Sequence, residues 1–185
     1  IERLDFRTKE AYKTLRTNLS FAGKNVKVIS LTSCTPNEGK TSVSFQLCLS
    51  LAESGKQTIL VDADLRKSVL RGRYKANREK YGLSHYLSGQ VELDDACCRT
   101  NVNNFDIIFA GPVPPNPSEL LGGDAFRNML EVLRMKYDYV IVDTPPLGSV
   151  IDAAIVGAIC DGTVIVVESG AISYKFVQNV KEQLN

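Results

Sequence analysis

Three short apolar runs, residues 26–31, 58–61 and 139–142, each break off at residues suited to chemistry rather than to packing. The first leads into Thr32-Ser33-Cys34-Thr35-Pro36-Asn37-Glu38-Gly39-Lys40-Thr41-Ser42. The second ends in Asp62-Ala63-Asp64-Leu65-Arg66 and the third in Asp143-Thr144-Pro145-Pro146. Runs without polar alternation are strands buried on both faces, and the helical patterns between them force crossover connections. The pattern therefore predicts an α/β fold with a mostly parallel sheet and helices on both faces.

The remaining periodicity fits this frame. Tyr12, Leu15 and Leu19 stand at i, i+3 and i+7 and predict a helix over 8–21 ahead of the first strand, 26–31. A helix over 40–54 is closed by Gly55 at the C′ position. Strands are predicted at 58–61, 105–110, 139–142 and 163–167, and helices at 125–136, 152–159 and 173–184. Short helical pieces are expected at 83–87, 93–99 and 118–121. The prolines 112, 114, 115 and 117 stiffen the connection before residue 118. Asp152 is expected to cap its helix.

With 185 residues the chain suits one domain, 1–185, comprising an N-terminal helix and lead-in (1–24) and a nucleotide-binding core (25–185). The balance of 22 Lys+Arg against 21 Asp+Glu gives no field for nucleic acid, and no nucleic-acid partner is expected. Five cysteines without CxxC spacing argue against a disulfide framework and for a reducing, cytoplasmic setting, and Cys97-Cys98 reads as small apolar side chains. No apolar run approaches the length of a membrane-spanning helix.

Gly39-Lys40-Thr41 after a strand and turn, opening a helix, is the heart of a P-loop. Backbone N–H groups at such a helix start wrap phosphates, the Lys neutralises them and the hydroxyl reaches Mg²⁺. The general signature places a further glycine where Cys34 stands. Pro36, Asn37, Glu38, Gly39, Lys40, Thr41 and Ser42 are the candidate nucleotide-binding residues. Asp143, ending a hydrophobic strand, has the form of a Walker B element. Asp62 and Asp64 sit two apart at a strand end and project the same way. Any one of these acids could simply cap a turn. Together with Lys40 and Thr41 they gather at the C-terminal ends of three strands, where ligands bind in open α/β sheets.

These segments resemble the bacterial tyrosine kinase (BY-kinase) family of capsule and exopolysaccharide systems. Residues 32–41 resemble its Walker A, 59–66 its distinctive Walker A′ and 140–146 its Walker B, while 10–18 and 114–121 also look like family segments. The resemblance implies a P-loop NTPase-like fold and an ATP- and Mg²⁺-dependent protein-tyrosine autokinase. Lys40, Asp62, Asp64 and Asp143 would be its catalytic residues and Thr41, Asp62 and Asp143 its metal ligands, with a lesser role for Arg66. It further implies ring self-association through Glu10, Lys13 and Arg16, in a motif where Lys13 replaces an arginine and so lacks the planar fork. The implied partners are a membrane-bound polysaccharide co-polymerase or activator, fused or separate, and tyrosine-containing protein substrates. The expected location is the inner face of the membrane.

Two other readings stay open. A MinD/ParA-like ATPase switch shares the sheet and phosphate site but carries an extra early lysine, where this chain has Thr35. A non-catalytic, nucleotide-dependent regulatory module of an export complex is the third. Ile1 in place of Met and an end at Asn185 within a helical pattern are expected to mark a trimmed domain. The seven tyrosines are scattered, without the tyrosine-rich tail the resemblance implies, and truncation is the expected reason.

Overall fold

The computed structural model describes residues 4–23, 25–73, 81–182 and 184. Its strands are β1 (Val28–Ser33), β2 (Thr58–Asp62), β3 (Cys97–Arg99), β4 (Phe105–Ile108), β5 (Tyr139–Asp143) and β6 (Gly162–Val166). They form one sheet in the order β3-β4-β2-β5-β1-β6, parallel throughout except for the β3–β4 pair. The helices are α1 (Phe6–Phe21), α2 (Lys40–Glu53), α3 (Leu70–Arg73), α4 (Leu83–Leu87), α5 (Leu93–Ala96), α6 (Pro117–Gly122), α7 (Asp124–Lys136), α8 (Asp152–Gly157) and α9 (Tyr174–Glu182).

The helices cover both faces of the sheet, as the apolar runs predict. Because side chains alternate along a strand, Ile59 and Val61 of β2 enter one core while Leu60 enters the other. The first core holds Leu83, Leu87, Leu121, Phe126, Leu130 and Val156 from α4, α6, α7 and α8. The second is built on Phe45, Leu47, Cys48 and Leu51 of α2, with Phe45 and Phe105 meeting edge to face. Tyr12, Leu15 and Leu19 of α1 are only partly buried and lean on this second core. Asp5 caps α1 by accepting the Thr8 N–H, and Arg16 ties α1 to α2 by donating to the Ser50 carbonyl at 2.6 Å. No helix among the described residues is long and apolar enough to cross a membrane.

Several predicted boundaries move, each for a tertiary reason. β1 runs two residues later than predicted, because Thr32 and Ser33 keep pairing with β6 and are fully buried although polar. The helix predicted over 93–99 stops at Ala96, and Cys97–Arg99 turns into an antiparallel edge strand on β4. That pairing partner lies outside any local pattern, and it sends Cys97 and Cys98 to opposite cores. Asp152 does not cap α8: Ile151 is the N-cap residue, and the Asp152 carboxylate is turned to an ion pair instead. Gly55 fits its expected place after α2, with φ +84° and no atom within 4 Å of an added Cβ, so its requirement is conformational.

The start of α4 docks directly on the end of β4, where Leu83 and Ser84 donate N–H groups to the carbonyls of Phe109 and Ala110. A Cβ on Gly82 would lie 2.6 Å from both the Gly111 nitrogen and the Phe109 oxygen. Gly82→Ala is therefore expected to destabilise the fold by about 1–3 kcal/mol. Gly162→Ala, where an added Cβ meets nothing within 4 Å, is expected to be neutral or to stabilise by up to about 1 kcal/mol. Urea unfolding of the two variants checks the contrast.

Candidate functional site

Parallel pairing brings three strand ends level. Asp143 of β5 stands opposite Leu31 of β1 on one side and Asp62 of β2 on the other, so the loop after β1 and both acids share the C-terminal edge of the sheet. From β1 the chain turns through Asn37 (φ +68°) and Gly39 (φ +81°) into α2. Successive positive-φ turns of this kind aim backbone N–H groups into one concavity, an anion-binding shape. Gly39 is the N-cap of α2 and supplies no side-chain cap, leaving the helix start and its dipole for a ligand. Within the loop, the buried Glu38 accepts the Thr35 N–H at 2.7 Å. Cys34, in the place of the signature glycine, is buried with Leu147 and Ala153. The close approach there belongs to Gly148, whose Cβ would sit 2.4 Å from the Cys34 carbonyl.

The Asp143 carboxylate is where the site converges. Lys40 Nζ donates to Oδ1 at 2.9 Å, Thr41 Oγ1 to Oδ2 at 2.7 Å and Ser44 Oγ to Oδ1 at 2.8 Å. Asp62 is just as buried and accepts the Ser68 hydroxyl. Burial first, and the neighbouring Asp143 carboxylate second, push Asp62 from its ordinary 3.8 up to about 7, against the Ser68 donation. Asp64 is turned differently: its Oδ1 accepts the backbone N–H groups of Arg66 and Lys67, which shapes the loop after β2.

A cleft of about 620 Å³ opens above these strand ends, lined by Pro36 to Thr41, by Asp64, Arg66 and Lys67, and by Pro145, Pro146 and Ser149. Its volume is that of a small-molecule or cofactor site. Of the candidate residues, Pro36 to Thr41 and Asp64 line the cleft and Asp62 and Asp143 lie buried side by side at the strand ends, whereas Ser42 and the α1 residues Glu10, Lys13 and Arg16 are not among the lining residues. Lys13 pairs with Glu10 at 2.7 Å on the exposed face of α1. Sequence reasoning missed Ser44 and Ser68. Ser44 was legible in principle, since it stands one helical turn after Lys40 and shares its face; Ser68 carries no pattern.

The donor set fits Mg²⁺ better than a closed protein cage. Among the described residues no group of three or more His, Cys, Asp or Glu side chains could hold a metal. Thr41 and Asp143, at hydrogen-bond distance, with Asp62 on the next strand, instead suit an ion that keeps its waters and takes further oxygens from phosphates.

Residues 26–185 match the AAA domain family. Tyrosine-protein kinase CpsD of Streptococcus agalactiae is 44% identical over 178 residues, covering 96% of this chain and 78% of that protein. The kinase domain of Escherichia coli tyrosine kinase ETK superposes with a TM-score of 0.91 at 39% identity, over 95% of this chain and 69% of that one. The septum site-determining protein MinD of Pyrococcus horikoshii, solved with Mg-ADP, is more distant, with a TM-score of 0.65 at 26% identity over 76% of this chain and 57% of that one.

Between its ordinary value and about 7, folded Asp62 keeps a proton that the unfolded chain has released. Its contribution to stability is full below the lower value and is lost as pH rises through about 7. With nucleotide and divalent cations removed, Asp62→Asn is expected to flatten the fall in stability between about pH 4 and 7. Urea midpoints across that range test it, and an unchanged slope in the variant counts against the elevated carboxyl.

Proposed function

This chain belongs to the bacterial tyrosine kinase (BY-kinase) family, and from that premise we propose that it binds Mg-ATP in the cleft and transfers the γ-phosphoryl group to tyrosine hydroxyls. The observation that carries the reading is the convergence of Lys40, Thr41 and Ser44 on Asp143 beside Asp62, at the mouth of an anion-binding loop. Phosphoryl transfer asks little covalent chemistry of a protein and depends on positioning and on stabilising charge.

Each residue then has a distinct physical role. The backbone N–H groups from Asn37 to Ser42, which include the start of α2, cradle the phosphates. Lys40, within reach of both the loop and Asp143, neutralises the β/γ oxygens. Thr41 and Asp143 hold the cation, which when bound neutralises charge between the phosphates. Asp62, buried at the strand end directly beside Asp143, is placed to take the tyrosine proton. Asp64 keeps the loop beside it in shape through the N–H groups of Arg66 and Lys67.

The ATPase-switch reading shares this sheet, but its representative fits less well, at a TM-score of 0.65 against 0.91. The family premise extends to context: an enzyme regulating capsular or exopolysaccharide polymerisation, working with a membrane-bound activator at the inner face of the membrane. Self-association would use α1, where Glu10 and Lys13 present an exposed pair, while Arg16 is engaged with Ser50 of the same chain.

Lys40→Met is expected to weaken Mg-ATP binding and to lower phosphotransfer on the order of 100-fold, read by nucleotide titration and by anti-phosphotyrosine blotting with a tyrosine copolymer as acceptor. ATP hydrolysis without any phosphotyrosine from the unmodified chain would refute the kinase reading in favour of a switch. Replacing Glu10 and Lys13 together by Ala is expected to shrink assemblies seen by light scattering while leaving nucleotide affinity unchanged. Identical masses would remove α1 from the contact.

A further inference from the structure

The loop after β2 is fastened to α6 and α8 through one guanidinium. Arg66 Nε donates to Asp152 Oδ2 at 2.7 Å and Nη2 to Asp152 Oδ1 at 3.1 Å, while Nη2 also reaches Ser118 Oγ at 2.9 Å. Ser118 in turn donates to Asp152 Oδ1 at 2.6 Å. Asp152 is completely buried at the start of α8, and Ser118 lies in the first turn of α6, just after the proline-stiffened connection. A buried carboxylate with a single cationic partner is an expensive feature, and hydrophobic residues would serve packing better.

The arrangement does something that packing does not. Two of the three guanidinium nitrogens are committed to Asp152 and Ser118, which fixes the plane of the fork. Nη1 has no protein partner among the described residues, and Arg66 lines the same cleft as Lys40 and the phosphate-cradling loop. A planar, permanently charged fork held on two nitrogens is suited to present the third to a phosphoryl oxygen without reorganising. We propose that Asp152 and Ser118 are positioning residues that hold Arg66 so that its Nη1 binds the terminal phosphoryl group of the nucleotide. This rests on the proposed function for its nucleotide. It also accounts for the segment from Pro114 to Leu121, because α6 brings Ser118 to the site.

The test compares Arg66→Gln, Asp152→Asn, Ser118→Ala and the double variant Arg66→Gln/Asp152→Asn in the full chain. Equilibrium titration with Mg-ADP and with the non-hydrolysable Mg-AMPPNP is the first readout. Arg66→Gln and Asp152→Asn are each expected to weaken Mg-AMPPNP by about tenfold while Mg-ADP changes by less than about twofold, as loss of one charge-assisted contact to the last phosphate requires. The double variant is expected to be no worse than Arg66→Gln, because Asp152 acts through Arg66. Ser118→Ala, which leaves no buried charge behind, is expected to give a smaller loss of the same kind and serves if Asp152→Asn does not fold. Equal losses for the two nucleotides, additive losses in the double variant, or a lowered Tm with both affinities unchanged would each overturn the proposal. Because titration needs no phosphotransfer, a chain that makes no phosphotyrosine refutes the kinase reading while the nucleotide arm still decides the role of Asp152.

Discussion

Asp143 is 1% exposed, and an ionised carboxylate can be held that far from water only if its oxygens are met by donors. Lys40, Thr41 and Ser44 meet them, all from the first turns of α2, so that one carboxylate fixes how α2 sits over the end of the sheet. The rest of the site is arranged around that constraint. The loop before α2 must turn sharply enough to deliver Lys40, which accounts for positive φ at Asn37 and Gly39. Asp62, one strand away, feels the same carboxylate and holds its proton to about 7.

The polar ends of the central strands are knitted together in the same manner. Thr32 donates its hydroxyl to the Pro145 carbonyl, and Thr144 donates both its hydroxyl and its N–H to the Leu31 carbonyl. Leu147 N–H reaches Ser33, and Gly148 permits the backbone of its loop to lie against Cys34. These bonds leave few buried polar groups without partners at a place where the chain leaves regular structure, and they make one wall of the cleft rigid. The other wall hangs on Asp64, whose carboxylate orders the loop carrying Arg66 and Lys67, and on the ion pair of Arg66 with Asp152. Burial raises the Asp152 carboxyl, yet the Arg66 and Ser118 hydrogen bonds outweigh it and hold the group below the usual range.

Much of this was readable because the relevant signals are local. Apolar runs marked the central strands, Gly39-Lys40-Thr41 marked the phosphate loop, and the acids at 62, 64 and 143 marked strand ends. What could not be read were relations between segments far apart in the chain. β3 exists because Cys97 to Arg99 finds an edge on β4, where local periodicity suggested continued helix. Thr32 and Ser33 looked like turn residues and are buried strand, because β6 pairs with them. Asp152 looked like a helix cap and is half of an ion pair spanning 86 positions of sequence.

By itself the sequence determined the alternation of strand and helix, the identity of the phosphate loop and the acids that accompany it, since each depends on residues within a turn or two of one another. Only the tertiary structure decided the strand order, which sets Asp62 and Asp143 side by side, and the partners of Ser44, Ser68, Ser118 and Asp152. The physical reason is that hydrogen-bonded and ionic contacts act over a few ångströms of space. Which distant side chains share those few ångströms is settled by packing two cores against one sheet.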